Sequence, residues 1–279
     1  MAENIRIMFT HDFFMAILLP ALIGGVAVTI CSSLLGVTLV LKRYSMIGDG
    51  LSHIGYGALS VAAVMNLAPL KVALPVVIIA AFILLRLSES SSISGDSAIA
   101  LFSTTALSIG ILVSSKAGIT NDVSHYLFGS ILAMNRSDVI LSVVLSVIVI
   151  AAFIFLYNRI FSVTFDESFA SATGVRPAVY NMIFAVLTSV TVVLGMMMMG
   201  SLLISSLIVI PTLTAMRVCT SFKGVVFVSG AVSVISFLFG MFISLIFNTA
   251  PGASIVIVNV LFFLGASLLG RVLRGRSRA

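Results

Sequence analysis

Asp49 and His53 are the residues whose types and spacing best suit chemistry in this chain. They stand four residues apart in Gly48-Asp49-Gly50-Leu51-Ser52-His53, at the start of an apolar segment. Four residues apart on a helix, two side chains share one face, with Cβ atoms about 5–6 Å apart. A carboxylate and an imidazole so placed can hold one divalent cation, and an ionisable residue in a membrane span is a candidate functional site by default. The pair therefore predicts a metal site; the alternative is a helix-start cap beside a hydrogen-bonded histidine.

The composition places these residues in a membrane protein. Of 279 residues, 60% are hydrophobic and 9% are charged, and the mean hydropathy is +1.27, whereas soluble domains carry about 25% charged residues. No polar segment is long enough to form a soluble domain, so residues 1–279 are interpreted as one transmembrane domain. The net charge of +6 is spread over short loops without a basic patch, which argues against a nucleic-acid partner. Cys31 and Cys219 indicate neither a disulfide framework nor a Cys-x-x-Cys metal site.

Nine apolar segments are long enough to be transmembrane helices, since a bilayer core takes about 20 mostly apolar residues. The predicted fold class is therefore an all-α integral membrane protein, a polytopic helical bundle of about nine spans. The number becomes eight or ten if one segment is merged or broken. The approximate ranges are 13–41, 46–66, 69–87, 97–115, 138–158, 178–195, 198–217, 224–247 and 253–270.

The basic residues predict how these spans are oriented. With nine spans, Arg6, Lys71, Lys116 and Arg136 fall on one side of the membrane, and the rest of the 15 Lys and Arg fall on the side of the C-terminal tail. Short cytoplasmic loops carry an excess of Lys and Arg. The asymmetry therefore predicts an N-terminus outside the cell and a tail, residues 271–279, in the cytoplasm.

One segment on the predicted outer side is amphipathic and too short to span. It lies within residues 118–138, and we interpret it as an interfacial or re-entrant helix. His125, inside it, is a candidate ligand on an ion-access path, with an ordinary surface histidine as the alternative. Tyr56, one turn beyond His53, could line the same path or pack as a core aromatic.

The longest predicted cytoplasmic loop, about residues 162–177, carries the signals of a short helix. Thr164 stands where an N-cap would be, and Glu167 occupies the capping-box position three residues later. Asp166 and Glu167 lie in the first turn, where the helix dipole favours acidic groups. Gly174 stands where a glycine would end the helix.

Two aromatic residues give this short helix an apolar edge. Phe165 and Phe169 are four residues apart, so on one helix they would share a face. An exposed apolar edge on a short helix suits docking into a groove of a cytoplasmic partner. A helix that lies back on its own bundle is the alternative.

Four stretches, in a fixed order along the chain, resemble the permease subunits of bacterial ABC importers for zinc, manganese and related divalent metals. They are residues 45–53, 126–132, 166–175 and 200–211, the last followed by Pro251-Gly252-Ala253-Ser254. The resemblance implies the type II importer fold in the bacterial plasma membrane, with lipid around it. It also implies a homodimer that works with cytoplasmic ATP-binding subunits and an extracellular metal-binding protein. Asp49 and His53 would then contact the transported metal, and residues 166–175 would form the segment that couples to the ATPase.

The residues themselves are consistent with a transport subunit that depends on a separate ATP-binding subunit. No Gly-x-x-x-x-Gly-Lys-[Ser/Thr] occurs, so the chain lacks a P-loop and is predicted to be a transport subunit rather than an enzyme. No permanently bound cofactor is expected, because the divalent metal is the cargo. Histidine with carboxylate favours zinc, with manganese or iron as alternatives for the same mechanism. Zinc usually takes four ligands, and a second copy of the chain facing the first would supply two more.

An intramembrane aspartyl protease is the remote alternative. Such an enzyme uses two carboxylates that share a proton, with the first aspartate in a Gly-x-Gly-Asp motif. Gly48-Asp49 and Gly95-Asp96 both lack the first glycine, because Met46 and Ile93 stand in its place. The sequence therefore argues against this activity.

Overall fold

Helices make up all the regular structure in the part of the chain that the computed structural model describes, residues 18–89, 95–118, 129 and 136–276. Eleven helices follow one another over these residues. They are α1 Leu19–Leu41, α2 Ile47–Val64, α3 Pro69–Glu89, α4 Gly95–Lys116, α5 Arg136–Phe155, α6 Tyr157–Phe165, α7 Glu167–Ala172, α8 Pro177–Met199, α9 Ser201–Val218, α10 Phe222–Phe247 and α11 Pro251–Arg276.

Seven of these helices are long and apolar enough to cross a membrane. They are α1, α3, α4, α8, α9, α10 and α11. An eighth span is formed if Val139–Phe155 and Tyr157–Phe165 count together, although the two meet at 68°. The predicted segment 138–158 therefore ends as a straight helix at Phe155, before its predicted end. The predicted all-α polytopic class is confirmed, and about nine remains an approximate number.

The remaining predicted span is α2, which contains the candidate metal pair. Its 18 residues would extend about 27 Å at 1.5 Å per residue. Asp49, Ser52 and His53 make it less apolar than the other spans. Twelve of its residues are nevertheless buried, so neighbouring helices rather than lipid surround most of it.

Close backbone contacts hold α2 and α1 among their neighbours. A Cβ added at Gly57 of α2 would lie 2.5 Å from the carbonyl oxygen of Ala106 on α4. A Cβ at Gly36 of α1 would collide with the carbonyl of Ile208 on α9. Small residues at helix contacts allow this approach, which favours association where lipid removes the hydrophobic driving force.

The predicted spans 178–195 and 198–217 are separated by only two residues, and Gly200 forms the actual break between α8 and α9. Its φ of +86° lies in a region that only glycine enters at little cost. α8 therefore ends at Met199 and α9 begins at Ser201. Met196, Met198 and Met199 are buried at this turn, as expected for flexible side chains that fill irregular gaps.

Candidate metal site and coupling segment

The helix α2 brings Asp49 and His53 together as their spacing predicts. Nε2 of His53 lies 3.4 Å from Oδ2 of Asp49. The other carboxylate oxygen, Oδ1, accepts a hydrogen bond of 3.3 Å from Oγ of Ser205 on α9. No side chain caps the start of α2, whose N-cap residue is Met46. Asp49 lies in the first turn, where the helix dipole favours a carboxylate, and faces His53 and Ser205, so the helix-start alternative stays open beside the metal site.

The pair is partly buried where the start of α2 meets α9. Asp49 is the third residue of α2, and Ser205 is the fifth residue of α9. In the single chain the side chain of Asp49 is 43% exposed and that of His53 24% exposed. A charged group at the centre of a bilayer costs about 2.5–3.5 kcal/mol on insertion scales. This carboxylate therefore needs a cation, water or another protein surface in front of it.

A partly exposed stripe of α9 continues the surface next to Asp49. Ser205 and Ser206 are intermediate in exposure, and Leu202 and Leu213 at either end of the stripe are exposed. Two hydroxyl groups in the middle of an apolar stripe make it more polar than a lipid-facing surface needs to be. The stripe is therefore suited to line a path or to meet a second protein surface.

The described residues of one chain provide only part of a metal-binding shell. Within residues 18–89, 95–118, 129 and 136–276, no group of three or more His, Cys, Asp and Glu could hold an ion. Asp49 and His53 would supply two ligands at most, whereas zinc usually takes four. Any complete shell thus needs water or residues from elsewhere.

The two residues predicted for an access path differ in what the structure says about them. His125 lies outside the described residues. Tyr56 is buried in the single chain, and its ring lies about 3.1 Å from where a Cβ on Gly110 of α4 would be. The contact between α2 and α4 thus matches the core-aromatic alternative, and a path-lining role for Tyr56 stays a prediction.

The protease alternative finds no support at Asp49. The described partners of its carboxylate are an imidazole and a hydroxyl, and neither is a second carboxylate that could share a proton. Asp96 lies in the first turn of α4 and is exposed.

The predicted coupling segment, about residues 162–177, contains two helices instead of the single one predicted. α6 continues through Thr164, whose hydroxyl donates to the carbonyl of Ile160, so Thr164 is not the cap. Asp166 caps α7, because its Oδ1 accepts a hydrogen bond of 2.9 Å from the backbone N–H of Phe169. Its extended backbone, φ −153° and ψ 103°, separates the two helices. An aspartate is as good an N-cap as threonine or better, which the sequence could have indicated.

Gly174 ends α7 as predicted. Its φ is +83°, its N–H donates to the carbonyl of Ser171, and the N–H of Val175 donates to that of Ala170. These two bonds form the Schellman motif, which needs a residue in the left-handed region at this place. Val163, Ala170 and Val175 form a small buried cluster with Tyr180 of α8, which attaches the segment to the bundle.

Glu167 points back toward the bundle. Its Oε1 accepts hydrogen bonds from Nζ of Lys42 at 2.9 Å and from Nδ2 of Asn181 at 3.2 Å, and Nζ of Lys42 also donates to Oδ1 of Asn181 at 2.7 Å. We call these three residues the anchoring triad; it joins α7 to the end of α1 and to α8. Partial burial by itself would raise the pKa of Glu167, but the hydrogen bonds and charge of Lys42 and the bond from Asn181 hold that pKa below its ordinary value. The sequence could not indicate these partners, because 125 positions separate Lys42 from Glu167.

Phe165 and Phe169 do not share one helix face. Phe165 is the last residue of α6, and Phe169 belongs to α7. The ring of Phe165 lies 4.9 Å from that of Phe161 and 5.9 Å from that of Phe222 on α10. Phe169 is 62% exposed. Phe165 thus contacts α10 but is itself 59% exposed, so both aromatics remain open to solvent.

The fold and these two features define a class, a multi-pass helical membrane protein with a carboxylate–imidazole pair inside the bundle and an anchored helix outside it. Residues 14–270 match the model of the ABC 3 transport family. A manganese import system permease protein, ScaB of Streptococcus gordonii, is 28% identical over 91% of this chain and 91% of its own length. A high-affinity zinc uptake system membrane protein, ZnuB of Haemophilus influenzae, is 28% identical over 88% of this chain and 95% of its own.

A solved structure agrees with these sequence matches. The structure of PsaBC from Streptococcus pneumoniae in complex with Fab superimposes with a TM-score of 0.83 at 28% identity, covering 95% of this chain and 94% of that one. The chain belongs to the ABC 3 transport family. The resemblance to metal ABC importer permeases, noted from the motifs, is confirmed, and with it a multi-pass location in the bacterial plasma membrane.

Proposed function

We propose that this chain is the permease subunit of an ATP-driven importer for a divalent transition metal, and that Asp49 and His53 contact the ion in transit. The observation that carries the proposal is the 3.4 Å approach of imidazole to carboxylate inside the bundle. Ser205 holds the second carboxylate oxygen and so orients Asp49. Hydrogen-bonded carboxylates and oriented imidazoles are typical of metal ligands.

Zinc is the cargo we favour, with manganese or iron as alternatives. An imidazole is a softer ligand than the all-oxygen shells that suit manganese. The relatives named for manganese and for zinc are both 28% identical to this chain, so sequence identity does not distinguish between the two metals. A transport site must also release its ion, which suits a shell of few protein ligands.

A second copy of the chain completes the site in this proposal. The half-exposed carboxylate of Asp49 and the adjacent stripe of α9 would face the same surfaces of the partner. Two aspartates and two histidines then offer the four ligands that zinc usually takes. The same packing removes an exposed carboxylate from lipid, which favours association of the two copies when a cation between them offsets the repulsion of the two aspartates.

The ATP-binding subunit would bind the coupling segment and transmit its conformational change to it. Phe169 offers an exposed aromatic surface, and the anchoring triad fixes the helix that carries it. Force applied to α7 would pass to α1 and α8 through Lys42 and Asn181, and to α10 through Phe165. An extracellular metal-binding protein would deliver the ion on the opposite side, given an N-terminus outside and a cytoplasmic tail.

Metal uptake by the permease with its ATP-binding subunit tests the role of the pair. Asp49→Asn keeps the size and removes the charge, and His53→Ala removes the nitrogen ligand. Both should abolish uptake while folded protein is retained, because helix packing rather than this pair holds the bundle. Asp96→Asn is the matched control, since this exposed aspartate also lies in the first turn of its helix, and it should transport normally. Wild-type uptake by both Asp49→Asn and His53→Ala would contradict the proposal.

Competition in proteoliposomes tests the identity of the metal. Uptake of radioactive zinc should be reduced by unlabelled zinc at a lower concentration than by manganese or ferrous iron. If manganese competes better, zinc is wrong and the same mechanism carries manganese.

The role of Phe169 is tested by coupling of ATP hydrolysis to transport. Phe169→Ala should lower the number of ions carried for each ATP hydrolysed, because it removes an aromatic contact surface from α7. Phe227→Ala is the control, since Phe227 is a still more exposed phenylalanine on α10. Equal coupling in the two variants would leave α7 as a surface helix.

Cysteine labelling tests the orientation. In a variant without Cys31 and Cys219, Ser171→Cys on α7 should react with an impermeant reagent only in permeabilised cells. Ala117→Cys, exposed after the end of α4, should react in intact cells. Reaction of Ser171→Cys in intact cells would invert the predicted orientation.

A further inference from the structure

A groove lies between the end of α3 and the start of α8, beside the anchoring triad. Its volume is about 460 Å³, and Phe82, Arg86, Val179, Asn181 and Met182 are among the residues that line it. Phe82 and Arg86 share one face of α3, since they are four residues apart. The groove thus combines apolar walls with one cationic group, and its size lies within the range of about 300–1,000 Å³ usual for small-molecule sites.

The position of the groove matches the boundary between acyl chains and headgroups. The apolar span of α3 is Pro69–Leu87 and that of α8 begins at Pro177. Arg86 therefore lies in the last turn of one span, and Val179 in the first turn of the other. Phe82, Val179 and Met182 are exposed in the single chain and so are available to acyl chains, while arginine at a span end extends its guanidinium to the interface.

Arg86 is exposed, and no acidic group forms an ion pair with it among the side chains that the structure describes, which exclude those of residues 88–94. Glu167, which reaches the groove residue Asn181, is already paired with Lys42. A cation above an apolar groove complements an anionic lipid, because guanidinium binds phosphate oxygens in a bidentate manner.

We propose that this groove binds an anionic phospholipid, with its phosphate on Arg86 and an acyl chain against Phe82, Val179 and Met182. Basic pockets between transmembrane helices on the cytoplasmic side bind such headgroups, and the distribution of Lys and Arg predicts that this end of the bundle is cytoplasmic. Asn181 lines the groove and belongs to the anchoring triad. The bound lipid therefore lies next to the residues that hold the coupling segment.

Native mass spectrometry of the complete permease–ATPase complex tests this site. The complex is released from detergent after incubation with equal amounts of phosphatidylglycerol and phosphatidylcholine of identical chains. The measured preference is the ratio of bound phosphatidylglycerol to bound phosphatidylcholine, and the wild type should retain phosphatidylglycerol preferentially. Arg86→Gln should lower that preference about five-fold, the factor expected for one basic side chain near an anionic surface, and Arg86→Lys should restore most of it.

Arg159→Gln is the matched control, because Arg159 is an exposed arginine on α6 outside the groove. It should keep the wild-type preference. An unchanged preference in Arg86→Gln, or an equal loss in Arg159→Gln, would overturn the proposal. So would loss of the ATP-binding subunit from Arg86→Gln with lipid preference intact, since the groove would then dock protein rather than lipid.

Discussion

Substitutions at Glu167 and at Lys42 of the anchoring triad should destabilise α7 to different extents. Side chains of Lys42 and Glu167 are 11% and 49% exposed, so this ion pair lies between a surface pair, worth about 0.2–1 kcal/mol, and a buried one, whose disruption costs about 3–5 kcal/mol. Glu167→Gln leaves the nearly buried ammonium of Lys42 without a counter-charge. We expect this substitution to lower the free energy of local opening of α7 by about 2 kcal/mol. Lys42→Met leaves a half-exposed carboxylate that water and Asn181 still solvate, and we expect about 0.5 kcal/mol.

Hydrogen exchange of α7 in the purified permease in nanodiscs measures these costs. If α7 opens locally from the bundle, about 2 kcal/mol corresponds to exchange roughly 30-fold faster in Glu167→Gln, and about 0.5 kcal/mol to roughly 2-fold faster in Lys42→Met. The double variant should exchange no faster than Glu167→Gln, because the second substitution removes the stranded charge. Asp96→Asn should leave α7 unchanged. Larger protection loss in Lys42→Met than in Glu167→Gln, or effects that multiply in the double variant, would refute this account of the triad.

Three further predictions concern the local structure. Asp166→Ala removes the N-cap acceptor of α7 and should destabilise that helix by about 0.5–2 kcal/mol, seen as faster proteolysis within the loop; unchanged cleavage would contradict the cap. Gly57→Ala forces a Cβ onto a backbone carbonyl of α4 and should lower the yield of folded protein on size exclusion, whereas Gly265→Ala, which meets nothing within 4 Å, should not. Because the pKa of Glu167 is lowered in the folded chain from its ordinary 4.5, its stabilisation of α7 is present above about pH 4.5 and is lost as the pH falls through the lower folded value. Hydrogen exchange of α7 that stays constant from pH 6 down to pH 3, after correction for intrinsic rates, would contradict a contribution from the charge of Glu167.

The helices and their approximate bounds could be predicted well from the sequence alone. Long apolar runs separated by charged or glycine-containing breaks are a local property, and a bilayer imposes helix on them because every backbone group must be satisfied within the segment. The pair at Asp49 and His53 could be predicted for the same reason, since helical periodicity alone places two residues four apart on one face. The family resemblance rested on motifs that are likewise contiguous in the chain.

The interior of the coupling segment could be predicted only in part. Gly174 was recognisable because a helix end needs a residue that tolerates positive φ. The cap was assigned to Thr164 rather than to Asp166, because threonine and aspartate are both suitable N-caps and the sequence does not reveal which backbone turns extended. The error mattered for function, since it put Phe165 and Phe169 on one face of a single helix.

The sequence by itself determined the class of the protein, the positions of its spans and the residues that could face an ion, because each follows from hydrophobicity and helical geometry over neighbouring residues. Only the tertiary structure decided that Ser205 orients Asp49 and that Lys42 and Asn181 hold Glu167. It also decided that Tyr56 is buried against α4 and that Arg86 stands above an apolar groove. These arrangements join residues that are distant in sequence, and they depend on which helices pack together. In a chain whose spans are almost uniformly apolar, hydrophobicity alone does not specify the neighbours of a helix, and close contacts at small residues such as Gly36 and Gly57 do so only in three dimensions.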